Sequence, residues 1–121
     1  MAEPAPVLVA CADEQLRVQV RLALDGERFD VADAADTDEA VRGLASRLPD
    51  LLVLDLELGG AGALPLARTV RQQPETQEIR VLLVLPAGAS APEDAPGIDA
   101  TIAAPFTSLA LLRKVDALLG G

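Results

Sequence analysis

The chain has no histidine, tryptophan or tyrosine, and only one cysteine and two phenylalanines among its 121 residues. Without an imidazole, and with one thiol, a zinc site built from His and Cys is excluded, as is any triad that needs His. Cys11 alone cannot close an internal disulfide. Two phenylalanines do not make a stacking platform for bases or a flavin. Positive charge is scarce too: 10 Lys plus Arg stand against 19 Asp plus Glu, a formal net charge of -9. That balance disfavours direct contact with nucleic acid or an anionic membrane surface and suits a basic protein partner or a bound cation. No apolar run approaches the roughly 20 residues of a spanning helix, and no charged-then-apolar leader follows Met1. The expectation is a soluble, cytoplasmic chain.

What is present is an apolar half, 50% of the residues, enough at this length for the core of a single domain over residues 1–121. The segment PVLVACA, residues 6–12, is a short Val-rich run of the kind expected for a strand covered on both faces. Asp13 is placed to cap a helix in which Leu16, Val20, Ala23 and Leu24 recur at helical spacing, with Arg17, Arg21 and Glu27 between them, until Gly26 weakens the pattern. FDVAD gives a second strand. Asp36 with Glu39 forms a capping-box pattern for a helix through Ala40, Val41, Leu44 and Leu48, which Pro49 stops. DLLVLD, residues 50–55, is the third strand. Gly59, Gly60 and Gly62 lead to Pro65 in the first turn of a helix that carries Leu66, Ala67 and Val70 and ends by Pro74. IRVLLVL, residues 79–85, is the fourth strand.

Three prolines and two glycines between Pro86 and Gly97 leave room for no more than a turn, so the helix due there is short or missing. IDATIAA, residues 98–104, is a fifth, more exposed strand. Thr107 or Ser108 caps a last helix whose Leu109, Leu112, Val115 and Leu119 are expected to form its buried stripe. Strands alternating with helices in this way predict a parallel sheet with helices on both faces. In such a sheet ligands bind beyond the carboxyl ends of the strands, which is where Asp55 falls. A carboxylate there can hold a divalent cation, act as a base, or accept a phosphoryl group.

FDVADAADTDEAV, RLPDLLVLDLELGG and GIDATIAAPF together resemble the receiver domain of two-component response regulators, and the likeness runs over nearly the whole chain. It implies a flavodoxin-like (βα)5 fold, five parallel strands in the order 2-1-3-4-5, and Asp55 as the candidate phosphoacceptor. It also implies a set of helpers: two acids after the first strand that hold Mg²⁺, a hydroxyl after the fourth, and a lysine after the fifth. Carried over without gaps, these positions fall on Cys11 and Ala12, on Leu85 (or Pro86, one residue on), and on Ala104; Thr101 takes the place of the aromatic switch residue. None supplies the expected chemistry. The resemblance therefore implies a degenerate receiver, or pseudo-receiver: not an enzyme, without cofactor, working by protein–protein interaction with a regulator or kinase, with a homodimer left open.

The alternative is a phospho-accepting receiver with a rearranged site, in which Asp13 and Glu14 join Asp55 around Mg²⁺; Asp13 is otherwise explained as a helix cap. An enzyme binding flavin or nucleotide on the same fold fits poorly, because no phosphate-binding loop follows the first strand. Cys11, at an apolar strand end beside carboxylates, reads as a packing residue rather than a redox thiol. Pro105 stands at the family's proline after the lysine position, where the preceding peptide is usually cis. The acids Asp30, Asp33, Asp36, Asp38 and Glu39 read as a solvated face with a helix cap.

Overall fold

Strands apolar on both faces need cover on both faces, and the chain provides it. The structure, a computed structural model, describes residues 3–24, 26, 28–92 and 95–120. Strands β1 (Ala5–Ala10), β2 (Phe29–Ala34), β3 (Leu51–Asp55), β4 (Arg80–Leu85) and β5 (Ala100–Ala103) pair in parallel in the order β2-β1-β3-β4-β5. Helices α1 (Glu14–Ala23), α2 (Thr37–Ser46), α3 (Ala63–Gln72) and α4 (Ser108–Leu119) complete the doubly wound arrangement. Register across the centre runs Val9 to Val53, Val53 to Leu82, and Val84 to Ile102. Side-chain alternation then sends Val7, Val9, Val53, Leu82 and Val84 toward Val20, Leu24, Leu111 and Val115 of the α1 and α4 layer. Leu8, Leu52, Leu54, Leu83 and Leu85 face Leu44, Leu66 and Val70 of the α2 and α3 layer. Each fully buried Leu or Val contributes about 1.5–3 kcal/mol, so these two layers hold the sheet. Among the described residues no helix is long and apolar enough to cross a membrane.

The caps form where the sequence places them. Asp13 accepts the Gln15 amide at 2.9 Å, Asp36 accepts that of Glu39 at 2.9 Å, and Thr107 accepts that of Ala110 at 3.0 Å. The box at α2 is closed one residue early, since the Glu39 carboxylate takes the Ala35 amide at 2.8 Å. Glu27, read as part of the first helix's polar face, lies outside the described residues, as do Glu93 and Asp94 of the Pro-rich stretch.

The expected stripe of α4 stands at Val115, with Leu112 and Leu119 packed against the same core, and is corrected at Leu109. Leu111 and Val115 are fully buried, whereas Leu109 is 57% exposed. Leu111 joins this buried face in place of the expected Leu109, and Leu118 packs beside it. Val41 and Leu48 of the second helical segment also lie outward, half exposed.

Between β4 and β5 no helix stands among the described residues. Side chains and close backbone contact pin the connection instead. Ala89 and Ile98 pack on the α3 layer. Gly97, at φ +93°, lies so close to α3 that a Cβ there would meet the Ala67 carbonyl oxygen at 2.4 Å. Arg71 of α3 donates to the Gly97 carbonyl at 3.2 Å and pairs with Asp99 at 2.7 Å. Asp99 also accepts the Val81 amide at 2.8 Å through its side chain, while its own amide donates to the Val81 carbonyl at 2.9 Å.

Candidate functional site

Asp55 ends β3 opposite Val84 of β4, on the sheet face that looks toward α1 and α4. It is 5% exposed. Its Oδ1 accepts the Glu57 amide at 3.2 Å, a turn that an aspartate two residues ahead favours. Burial pushes the Asp55 carboxyl above its ordinary range; the Glu57 amide pulls it partly back, and the charges of Glu57 and Asp13 raise it again. Glu57 is a site residue that sequence matching passed over. Its signal was positional: a second acid, two residues beyond the first, in the loop leaving a strand.

Asp55 opens on a cavity of about 380 Å³ at the carboxyl edge of the sheet. Asp13, Glu57, Leu16, Pro86, Ala104 and Pro105 are among its walls. Ala104 is half-buried, its amide donating to the Leu85 carbonyl at 2.9 Å, and the peptide joining it to Pro105 is cis. Leu85 itself belongs to the opposite core layer, and Val84 of β4 lines the cavity together with Pro86 and Ala87 just after that strand. Thr101 is half-buried in β5. Gln19 of α1 closes the rim with a bond to the Phe106 carbonyl at 3.0 Å.

Cys11 sits behind Asp55, fully buried, its amide bonded to the Ala34 carbonyl at 3.0 Å. Burial, reinforced by the Asp55 charge, pushes its thiol up to about 12. A thiol so placed stays protonated, as a packing residue does. Ala12 is exposed and brings no polar group. Arg17, the neighbouring cation, is turned to the carbonyls of Cys11 and Ala12 at 2.8 and 3.3 Å and is absent from the cavity walls.

Of the alternative set, the structure brings Asp13 to the same cavity as Asp55, but Glu14 is not among the lining residues. Among the described residues no group of three or more His, Cys, Asp or Glu is arranged to hold a metal ion. The acids preceding and opening α2 are largely engaged within the chain: Asp33 pairs with Arg21 at 3.1 Å, Asp30 with Arg47, and Asp36 caps the helix. Such exposed pairs contribute little to stability.

No protein-family model matches the chain. It is 35% identical over 118 residues to the phosphate regulon transcriptional regulatory protein PhoB of Rhizobium meliloti (strain 1021), covering 94% of this chain and 52% of that protein. The chain thus spans about half the length of the curated relatives it matches. A candidate response regulator of Chloroflexus aurantiacus J-10-fl superposes with a TM-score of 0.90 at 28% identity, over 98% of this chain and 100% of that one. The receiver domain of the sensor histidine kinase PA1611 from Pseudomonas aeruginosa PAO1, a structure with magnesium in its active-site cleft, shares the fold alone. It gives a TM-score of 0.85 at 18% identity, over 98% of this chain and 99% of that one.

Proposed function

The chain belongs to the receiver-domain family of response regulators, and we propose that within it the chain is a pseudo-receiver: a signalling module that engages a protein partner without phosphorylation of Asp55. One observation carries this reading. Among the described residues the cavity beside Asp55 is lined by no lysine, arginine, serine or threonine, and its other charges are the carboxylates of Asp13 and Glu57. Phosphoryl transfer is mostly positioning and charge neutralisation. An acyl phosphate on Asp55 would add about two negative charges to this rim with nothing to pair them. The positions that would supply a hydroxyl and an amine carry Leu85 and Ala104, and those of the acid pair carry Cys11 and Ala12.

The donor set does not fit magnesium. Asp13 spends a carboxylate oxygen on capping α1, and Asp13, Asp55 and Glu57, though they line one cavity, are not arranged as a group of three ligands among the described residues. The presence of Asp13 in the same cavity is what the phospho-accepting alternative would build on. The role we assign is binding rather than turnover, with a basic regulator or kinase as the partner class suited to a net charge of -9.

Intact mass and backbone NMR after incubation with Mg²⁺ and a small phosphodonor, or with beryllofluoride, test the reading alongside Asp55→Asn. The expected result is an unchanged mass and no shifts centred on Asp55. A stable adduct that Asp55→Asn abolishes would overturn it.

A further inference from the structure

The cavity at the carboxyl edge is lined by three carboxylates, by hydrocarbon, and by the amide side chains of Gln15 and Gln19. Asp55 is 5% exposed, and its Oδ1 is taken by the Glu57 amide at 3.2 Å. Among the described residues no donor meets Oδ2, and no buried side-chain oxygen is sealed away without a partner, so Oδ2 opens into the cavity. Asp13 and Glu57 add two further carboxylates to the lining, while no lysine or arginine among the described residues joins it. Leu16, Val84, Ala104 and Pro105 supply apolar lining, and the small Ala104 leaves the cavity of about 380 Å³ unfilled.

Carboxylates and hydrocarbon lining one cavity complement a long basic side chain, whose methylenes lie along the apolar residues while its cationic head meets the acids. A divalent ion is served worse, because the described residues assemble no group of three ligands. We propose that this cavity receives a lysine or arginine side chain of a basic protein partner, which pairs with Asp55 and sets the register of docking. The proposal rests on the pseudo-receiver reading in that it takes Asp55 as unmodified and names the partner chemistry of the same site. The net charge of -9 adds long-range attraction for such a partner.

The test titrates N-acetyl-arginine amide into the isotope-labelled chain by NMR, with N-acetyl-norleucine amide as the uncharged control and MgCl₂ in a parallel arm. The expected result is a saturable shift at the amides of Asp55, Glu57 and Ala104 with the arginine probe and none with norleucine. Asp55→Asn should weaken the arginine probe about tenfold or more, the effect of losing one charge-assisted bond. Ala104→Lys, which places an amine on the cavity wall in cis, should compete with the probe and abolish its shift. No saturable shift, a shift that Asp55→Asn leaves unchanged, or equal binding of norleucine would each overturn the proposal. So would saturable Mg²⁺ shifts at these residues without any from arginine. Failure here is separable from failure of the pseudo-receiver reading. A beryllofluoride adduct on Asp55 together with saturable arginine binding refutes that reading and supports the basic pocket, whereas absence of both refutes the pocket alone.

Discussion

Asp55 and Asp99 lie at opposite edges of the sheet and are treated in opposite ways by their surroundings. Asp99, just before β5, answers Arg71 at 2.7 Å, Arg80 at 3.7 Å and the Val81 amide at 2.8 Å. Asp55, at the end of β3, is more deeply buried and holds one amide of its own loop. A carboxylate that serves the fold gathers donors from its own chain, because an unpaired buried charge costs several kcal/mol. One that keeps an oxygen directed at an open cavity is held at a cost to the fold. At the amino edge the connection into β5 is fastened by a polar tie, whereas at the carboxyl edge a buried carboxylate has one loop amide as its partner.

The largest effect is expected where the tie meets α3. Gly97→Ala combines a left-handed backbone with a Cβ 2.4 Å from the Ala67 carbonyl oxygen. It should cost about 3 kcal/mol in urea unfolding; a loss under half of that would show that the connection yields and that the tie is slack. Asp99→Ala removes the acceptor for Arg71 and Val81 and should cost about 2 kcal/mol, with Arg80, half exposed, adding little.

Asp55→Asn should move the other way, stabilising the chain at neutral pH by about 1 kcal/mol, since it removes a buried charge that burial and the neighbouring acids disfavour. If both aspartate substitutions destabilise alike, the contrast between the two edges collapses. The smallest effect is in the pH profile. The folded chain binds the Asp55 proton more tightly than the unfolded one, so this contribution is present below the ordinary carboxylate value of 3.8 and is lost as pH rises through the raised value. Urea midpoints of the natural chain should fall across that interval relative to those of Asp55→Asn.

The strands were readable because β3 and β4 are unbroken apolar runs, which only a sheet covered on both faces accommodates. The caps were readable because Asp13, Asp36 and Thr107 act within their own turns. What could not be read depends on partners far along the chain. Leu109 and Leu111 both stand at the start of α4, and packing against α1 and the sheet buries Leu111 and leaves Leu109 outside. Arg71 and Asp99 are 28 residues apart, and no local pattern joins them. At the site, Asp55 and Ala104 are placed by strand ends and could be located by spacing. The assignment of Leu85 to the opposite core follows from the alternation of β4, and the direction of Arg17 depends on the path of the loop after β1.

The β4–β5 ladder pairs Leu82 with Ala100, so its next rung back would be Val81 with Asp99. There the Val81 amide meets a carboxylate oxygen instead of a main-chain carbonyl. The ladder thereby gains a rung that a side chain can withdraw. Hydrogen exchange at the Val81 amide becomes a native clock for this connection: slow while Asp99 holds it, and fast whenever the side chain swings away, even if every strand remains in place.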